Sequence, residues 1–364
     1  MKIKLLLLFL TFNLATQLGA QPYSAYVDVR QEFYAFDNGS INKLDHLKPI
    51  DFKIGKSSIA FIDNQRNFKL YRDGIVTTIN ENLYTVRFFM TDNLILYRSA
   101  NMISVIDGND VKLLSGLCQD FAVGDSVVLF YDMNRSSFNA YYNGDITEME
   151  TYLLTGNDFS FSDHMKCSDN IGAYTNFNDV FKAFFHNKVY TLEQQKIRDY
   201  QVGRNTIAYT DINNQFKIFY KGETYKIDGF APKSYQVGDN LVAFINYEGY
   251  FKIFYNGKMY SMGFYEPQYQ VKDFLVAYEA ANGFFKVFHE GETKVLENYY
   301  PPNIEMQYNS LAYTNQANML RLYCQGKIYD VTNQTISSYR LDYDVLQYKV
   351  GFNRFKVFAN GETY

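Results

Sequence analysis

The chain has 364 residues, with 35 Lys+Arg against 39 Asp+Glu and a formal net charge of −4. Hydrophobic residues make up 47% of it, which excludes a disordered polypeptide. The mildly acidic balance argues against a nucleic-acid partner, because phosphate binding needs clustered Lys and Arg.

The N-terminus comes first. Lys2 and Lys4 precede an apolar run over residues 5–12, and residues 17–20 are polar or small. This is the form of a secretory signal peptide over residues 1–20, with cleavage expected after Ala20. The apolar run is too short for a membrane anchor, which needs about 20 residues. Gln21, not a cysteine, follows the cut, so no lipidated N-terminal cysteine is expected. No later stretch is long and apolar enough to span a bilayer. Export to the periplasm, cell surface or extracellular space is the expectation. Three cysteines, Cys118, Cys167 and Cys324, do not make a disulfide scaffold. A Cys118–Cys167 bridge is the one pairing that neighbouring repeats would favour, and otherwise all three are expected as buried small hydrophobes.

From residue 21 onward one unit recurs. The segment Phe251-Lys-Ile-Phe-Tyr-Asn-Gly257 has near copies ending at Gly74, Gly222, Gly291 and Gly361, and weaker ones ending at Gly39, Gly108, Gly144, Asn187 and Gly326. The ten anchors are 34–36 residues apart except for one interval of 43. The extra residues fall at 151–164, read as a long surface loop or a seam. Fixed self-similarity of this length signals a repeat architecture.

Each unit reads as four short strands. In one copy these are residues 235–237, 241–245, 251–255 and 258–262. Asn256-Gly257 joins the last two, and Asn-Gly or Asp-Gly between β-rich runs is the strongest short-range hairpin signal. That dipeptide stands at residues 38–39, 73–74, 107–108, 143–144, 256–257 and 360–361. Ala-Tyr or Ala-Phe marks the second strand at 25–26, 60–61, 173–174, 208–209, 243–244, 277–278 and 312–313. The third strands are apolar on both faces, which implies sheets covered on both sides.

Ten small four-stranded antiparallel sheets, each covered by its neighbours, make an all-β fold that resembles a β-propeller over residues 21–364. The resemblance is to the general plan, since the chain lacks Trp and with it the Trp-Asp and Asp-box signatures. A single ring, an open twisted array of blades and two smaller propellers are all compatible with the period. The first unit has little room for its first strand, and the last ends at Tyr364 with barely a fourth.

Signatures of chemistry are sparse. Gly55-Lys56-Ser57 ends like a phosphate loop, but Ile50 stands where the first Gly belongs. Asp132 opens a stretch like a calcium loop, yet its twelfth position is Asn143 where Glu is required. The four histidines do not cluster, so neither a metal site nor a cofactor is expected. A basic residue recurs five positions before the anchor: Lys69, Lys182, Lys217, Lys252, Lys286, Arg321 and Lys356. These residues form either a cationic ring for an acidic ligand or local pairs with the Asp or Asn six positions earlier, in direct cross-strand opposition. Lys286 and Lys356 lack that partner and should be the freer two. Loop aromatics Tyr247, Tyr250, Phe264, Tyr265, Tyr299 and Tyr300 are the other binding candidates, suited to sugar faces or partner side chains. No catalytic residue stands out. The expected function is a non-catalytic binding or scaffold protein with a protein or cell-surface glycan ligand. The alternatives are a glycan- or peptide-acting enzyme with paired carboxylates in a central channel, and a structural envelope component.

Overall fold

The structure is a computed structural model that describes residues 23–81, 86–151, 164–351 and 354–364. The expected signal peptide and most of the long interval at 151–164 lie outside the described residues. Ten antiparallel sheets follow one another around a ring as blades 1–10, at residues 23–45, 51–80, 86–115, 118–151, 165–193, 197–228, 234–264, 269–297, 304–332 and 336–363. Nine have four strands, and blade 1 has three among the described residues. Blade 7 is representative, with Ser234–Gly238, Leu241–Ile245, Tyr250–Tyr255 and Lys258–Phe264 paired in sequence order. No described residue is helical.

Glycine and asparagine at the hairpins make this meander possible. Both central residues have positive φ at Asn38/Gly39, Asp73/Gly74, Asn143/Gly144, Asn256/Gly257 and Asn360/Gly361. The same geometry holds at His186/Asn187, Lys221/Gly222, Glu290/Gly291 and Gln325/Gly326. Blade 3 departs from expectation. There Asp107 ends the strand Met102–Asp107, and the turn moves on to Gly108-Asn109.

The blades are held together by one repeated contact. The phenylalanine that starts a third strand packs against the aromatic residue of the next blade's second strand. Phe33 meets Phe61 at 5.3 Å, Phe181 meets Tyr209 at 5.3 Å, Phe216 meets Phe244 at 5.2 Å and Phe251 meets Tyr278 at 5.4 Å. The neighbouring alanines, among them Ala60, Ala208 and Ala243, are fully buried because a larger side chain would hold the sheets apart. The ring closes by the same rule, with Phe355 of blade 10 stacked on Tyr26 of blade 1 at 5.2 Å. Closure is also polar: Ser24 donates to Asp342 at 2.6 Å, and Arg340 donates to the Ala25 carbonyl at 2.6 Å. Tyr364, just past the short strand Glu362–Thr363, lies against Phe36 of blade 1 at 5.1 Å.

A second repeated device lines the inner ring. One side chain on the first strand of a blade reaches the exposed backbone edge of the next. The Gln201 amide donates to the Tyr235 carbonyl and accepts from Val237 N–H, and Gln236 treats Tyr269 and Val271 alike. Lys166 donates to the Tyr200 carbonyl at 2.8 Å, and Glu305 accepts from Leu341 N–H at 2.9 Å. Unpaired strand edges are thereby satisfied without a continuous sheet. The three cysteines are free thiols, with Cys118 and Cys324 buried, so Cys118 and Cys167 do not pair.

Candidate functional site

The up-and-down order gives the ring two unlike faces. One carries the hairpin turns and the short turns between first and second strands. The other carries the loops between second and third strands and the linkers between blades.

At the inner edge of the hairpin face, the short turns present Lys56, Asp92, Asp125, Asp169, Arg204, Asp239, Asp273, Tyr308 and Tyr343, one residue from each of blades 2–10. Their side chains meet across the ring. The Tyr343 hydroxyl donates to Asp92 at 2.8 Å, and Lys56 donates to the Tyr308 hydroxyl at 3.0 Å. The Arg204 guanidinium pairs with Asp169 at 2.5 Å and approaches Asp125 at 3.8 Å and Asp239 at 3.9 Å. Burial pushes the carboxyls of Asp125 and Asp239 well above the ordinary range, and the Asp169 charge adds to it. Burial raises Asp92 and Asp273 as well. Carboxylates do converge here, as a channel acid–base pair would require, yet Arg204 stands among three of them. A glycosidase-type carboxylate pair keeps about 5–9.5 Å open for sugar and water. Among the described residues no group of His, Cys, Asp and Glu is arranged to hold a metal ion.

The loop face is open. Two adjoining cavities of about 790 and 660 Å³ lie over blades 7–10 and share Gln270 and Pro302 as a common wall. First strands of neighbouring blades pack side by side at Ser234–Gly238 with Tyr269–Lys272 and at Ile304–Gln307 with Ile336–Asp342. Tyr269–Lys272 and Ile304–Gln307 are in looser contact, and the linker carrying Tyr299, Tyr300, Pro301 and Pro302 enters there. Tyr300 packs edge-on against Phe285 at 5.2 Å, and burial pushes its hydroxyl up to about 12. The walls are tied by hydrogen bonds, Ser234 to the Tyr269 hydroxyl at 2.9 Å and the Tyr339 hydroxyl to the Asn303 carbonyl at 3.3 Å. Among the described residues Glu279 and Glu305 are the only charged ones lining the cavities, and burial raises the Glu305 carboxyl.

The sequence candidates are dispersed over this face. Tyr299 lines the first cavity, as does Tyr300. Tyr247 lies on the second-to-third-strand loop of blade 7, 60% exposed and stacked on Phe230 at 5.1 Å. Met133, Phe177 and Ile212 occupy the same loop position in blades 4–6, and all are exposed. Tyr250 and Phe264 contact one another at 4.9 Å, whereas Tyr265 packs on Phe251 at 6.1 Å as part of the blade core. Lys286 and Lys356 stand opposite Tyr278 and Tyr348, with no ion pair among the described residues. Lys252 is in the same position, its amine 5.7 Å from the Tyr250 ring.

The direct cross-strand opposition expected for the recurring lysines is corrected. Phe61, not Asp63, faces Lys69, and Tyr209, not Asp211, faces Lys217. The Asp or Asn instead folds its own loop: Asp63 accepts from Gln65 and Asn67 N–H, and Asn246 accepts from Tyr250 N–H. Lys69 and Lys217 still reach Asp63 and Asp211 diagonally, at 2.7 and 3.0 Å. A second carboxylate, at the end of the previous blade's fourth strand, was missed. Glu150, Glu193 and Glu297 pair with Lys182, Lys217 and Arg321 at 2.6–2.7 Å. The period alone would have found them, since each stands shortly after a hairpin anchor. The lysine ring is therefore largely a set of local pairs.

The model of a family described as the 10-bladed beta propeller domain matches residues 17–364. No curated protein matches the chain. Among solved structures, the computationally designed Ika8 protein is similar over 75% of this chain and 95% of its own, at 15% identity and TM-score 0.33. Prp20p of Saccharomyces cerevisiae is similar over 57% and 71%, at 10% identity and TM-score 0.31. PorZ, a bacterial surface component of the type-IX secretion system of Porphyromonas gingivalis, is similar over 91% and 62%, at 10% identity and TM-score 0.27.

Proposed function

The chain belongs to the 10-bladed β-propeller family, and from that premise we propose that it is an exported, non-catalytic binding protein that takes its ligand on the loop face. The cleft over blades 7–10 carries the reading: each cavity has the size of an ordinary ligand site, about 300–1,000 Å³, and tyrosine rings, amides and hydroxyls line it. Such walls recognise shape and hydrogen-bonding pattern. A purified mature protein should bind a ligand that Tyr299→Ala and Glu305→Gln weaken without lowering thermal stability. Binding untouched by both changes would move the site elsewhere. Export is tested by sequencing the N-terminus of protein recovered outside the cytoplasm, which should begin at or near Gln21; an intact Met1 would refute it.

One observation favours the enzyme reading, the contact between Asp125 and Asp169 at the opposite mouth. A general acid held protonated near neutral pH is what glycan hydrolysis uses. In that case Asp125→Asn would abolish turnover of a polysaccharide substrate while leaving loop-face binding intact.

A further inference from the structure

We propose that the loop-face cleft holds an uncharged polysaccharide chain lengthwise, one run of sugars across both cavities; this rests on the loop-face reading above. The first argument is shape. The cavities adjoin at Gln270 and Pro302, so they form one elongated site instead of two separate pockets.

The second argument is charge. Glu279 and Glu305 face the cleft, and among the described residues no lysine or arginine lines either cavity. An anionic polymer would bring charge against two carboxylates with nothing to neutralise it. A neutral sugar chain brings hydroxyls, which donate to carboxylates and both donate to and accept from amides. Its apolar C–H faces suit the bodies of tyrosine rings whose hydroxyls remain at the polar rim.

The third argument removes the commonest peptide mode from two of the three walls. An extended peptide binds a sheet by pairing with free edge groups. On the edges of blades 8 and 10 those groups are engaged, Tyr269 O and Val271 N by Gln236, and Leu341 N by Glu305. On those walls recognition must therefore come from side chains.

Gln270 marks the site. It occupies the ladder position of Gln201 and Gln236, yet it is exposed, and its amide meets the Tyr300 hydroxyl within the cleft. It stands where blades 8 and 9 loosen, in the shared wall of both cavities.

The test is calorimetric titration of the mature protein with unbranched neutral hexasaccharides of glucose and mannose in α and β linkage, a polyuronate, and lysine-rich and proline-rich peptides. At least one neutral hexasaccharide should bind, and Gln270→Ala should weaken it about tenfold or more with an unchanged melting temperature. Met133→Ala, at the matching loop position of blade 4 across the same face, should leave affinity as it was. If only the polyuronate or a peptide binds and Gln270→Ala weakens it, the sugar assignment is overturned while the cleft stands. If a bound probe ignores both Gln270→Ala and Glu305→Gln, cleft and ligand class fall together. If no probe binds, the sugar assignment is likewise overturned.

Discussion

Asp63 serves two roles at once, as Asp211 does in blade 6. Its Oδ1 accepts from Gln65 and Asn67 N–H, which folds the loop, and its Oδ2 lies 2.7 Å from the Lys69 amine. The burial penalty is offset by these partners, so its carboxyl is held below the ordinary value. A depressed folded pKa means that the contribution is present above the unfolded pKa near 3.9 and lost as pH falls through the folded value. Asp63→Ala should therefore lower stability by about 1–2 kcal/mol at pH 7. Denaturant melts should show that difference shrink below about pH 4, and a constant gap down to pH 2 would refute the ionic part. Asp239 has the opposite sign. Its folded pKa is raised by burial and by Asp169, so the fold favours its protonated form. Ionisation then costs stability from about pH 4 upward. Asp239→Asn keeps an acceptor for Arg204 N–H, which bonds Asp239 at 3.2 Å. It should raise the melting temperature at pH 8 and change it little near pH 4; destabilisation at pH 8 would show that Arg204 needs the charge.

Within a blade, the inner turns are where backbone comes closest to backbone. A Cβ on Gly238 would lie 2.3 Å from the Asp273 carbonyl oxygen, and one on Gly203 would lie 2.1 Å from the Gly238 carbonyl oxygen. These are rigid atoms of the next blade, so neither can yield cheaply. Gly238→Ala should cost roughly 2–4 kcal/mol, whereas Gly229→Ala, with open space at its Cβ, should fall within about 0.5 kcal/mol of wild type. Chemical denaturation of the two variants checks this, and equal stabilities would contradict the close approach. The strands themselves were legible in sequence because short apolar β-rich runs and Asn-Gly turns are local properties. Blade 3 was misread by one residue, since Asp107-Gly108 satisfies the dipeptide rule while the strand pairing Asp107 with Asp110 decides the register.

The whole ring depends on one seam. Among the described residues blades 1 and 10 meet without a strand shared between them: Phe355 stacks on Tyr26, and Arg340 links the Ala25 carbonyl to the buried Asp342 carboxylate that Ser24 also contacts. Arg340→Ala leaves that carboxylate buried without its cation and should cost about 1–3 kcal/mol. Hydrogen exchange should accelerate in residues 23–45 and 336–363 first, with blades 6 and 7 protected. Uniform acceleration around the ring would mean that the seam is no weaker than any other joint.

What the sequence determined alone is whatever repeats locally. Ten units, the four-stranded plan of nine of them, the hairpins, the two-sided burial of Phe251 and its copies, and the scarcity of catalytic motifs all follow from short-range pattern. The Phe of the third strand and the Ala-aromatic pair of the second were both visible, but not that they touch, because the partners lie in successive blades. Tertiary structure decided that they form one interface repeated until Phe355 returns to Tyr26. It likewise brought Asp92 to Tyr343 and Lys56 to Tyr308, about 250 residues apart in each case, and loosened blades 8 and 9 around Gln270. Those outcomes depend on how small rotations between blades accumulate around a closed ring, and no single segment encodes that sum.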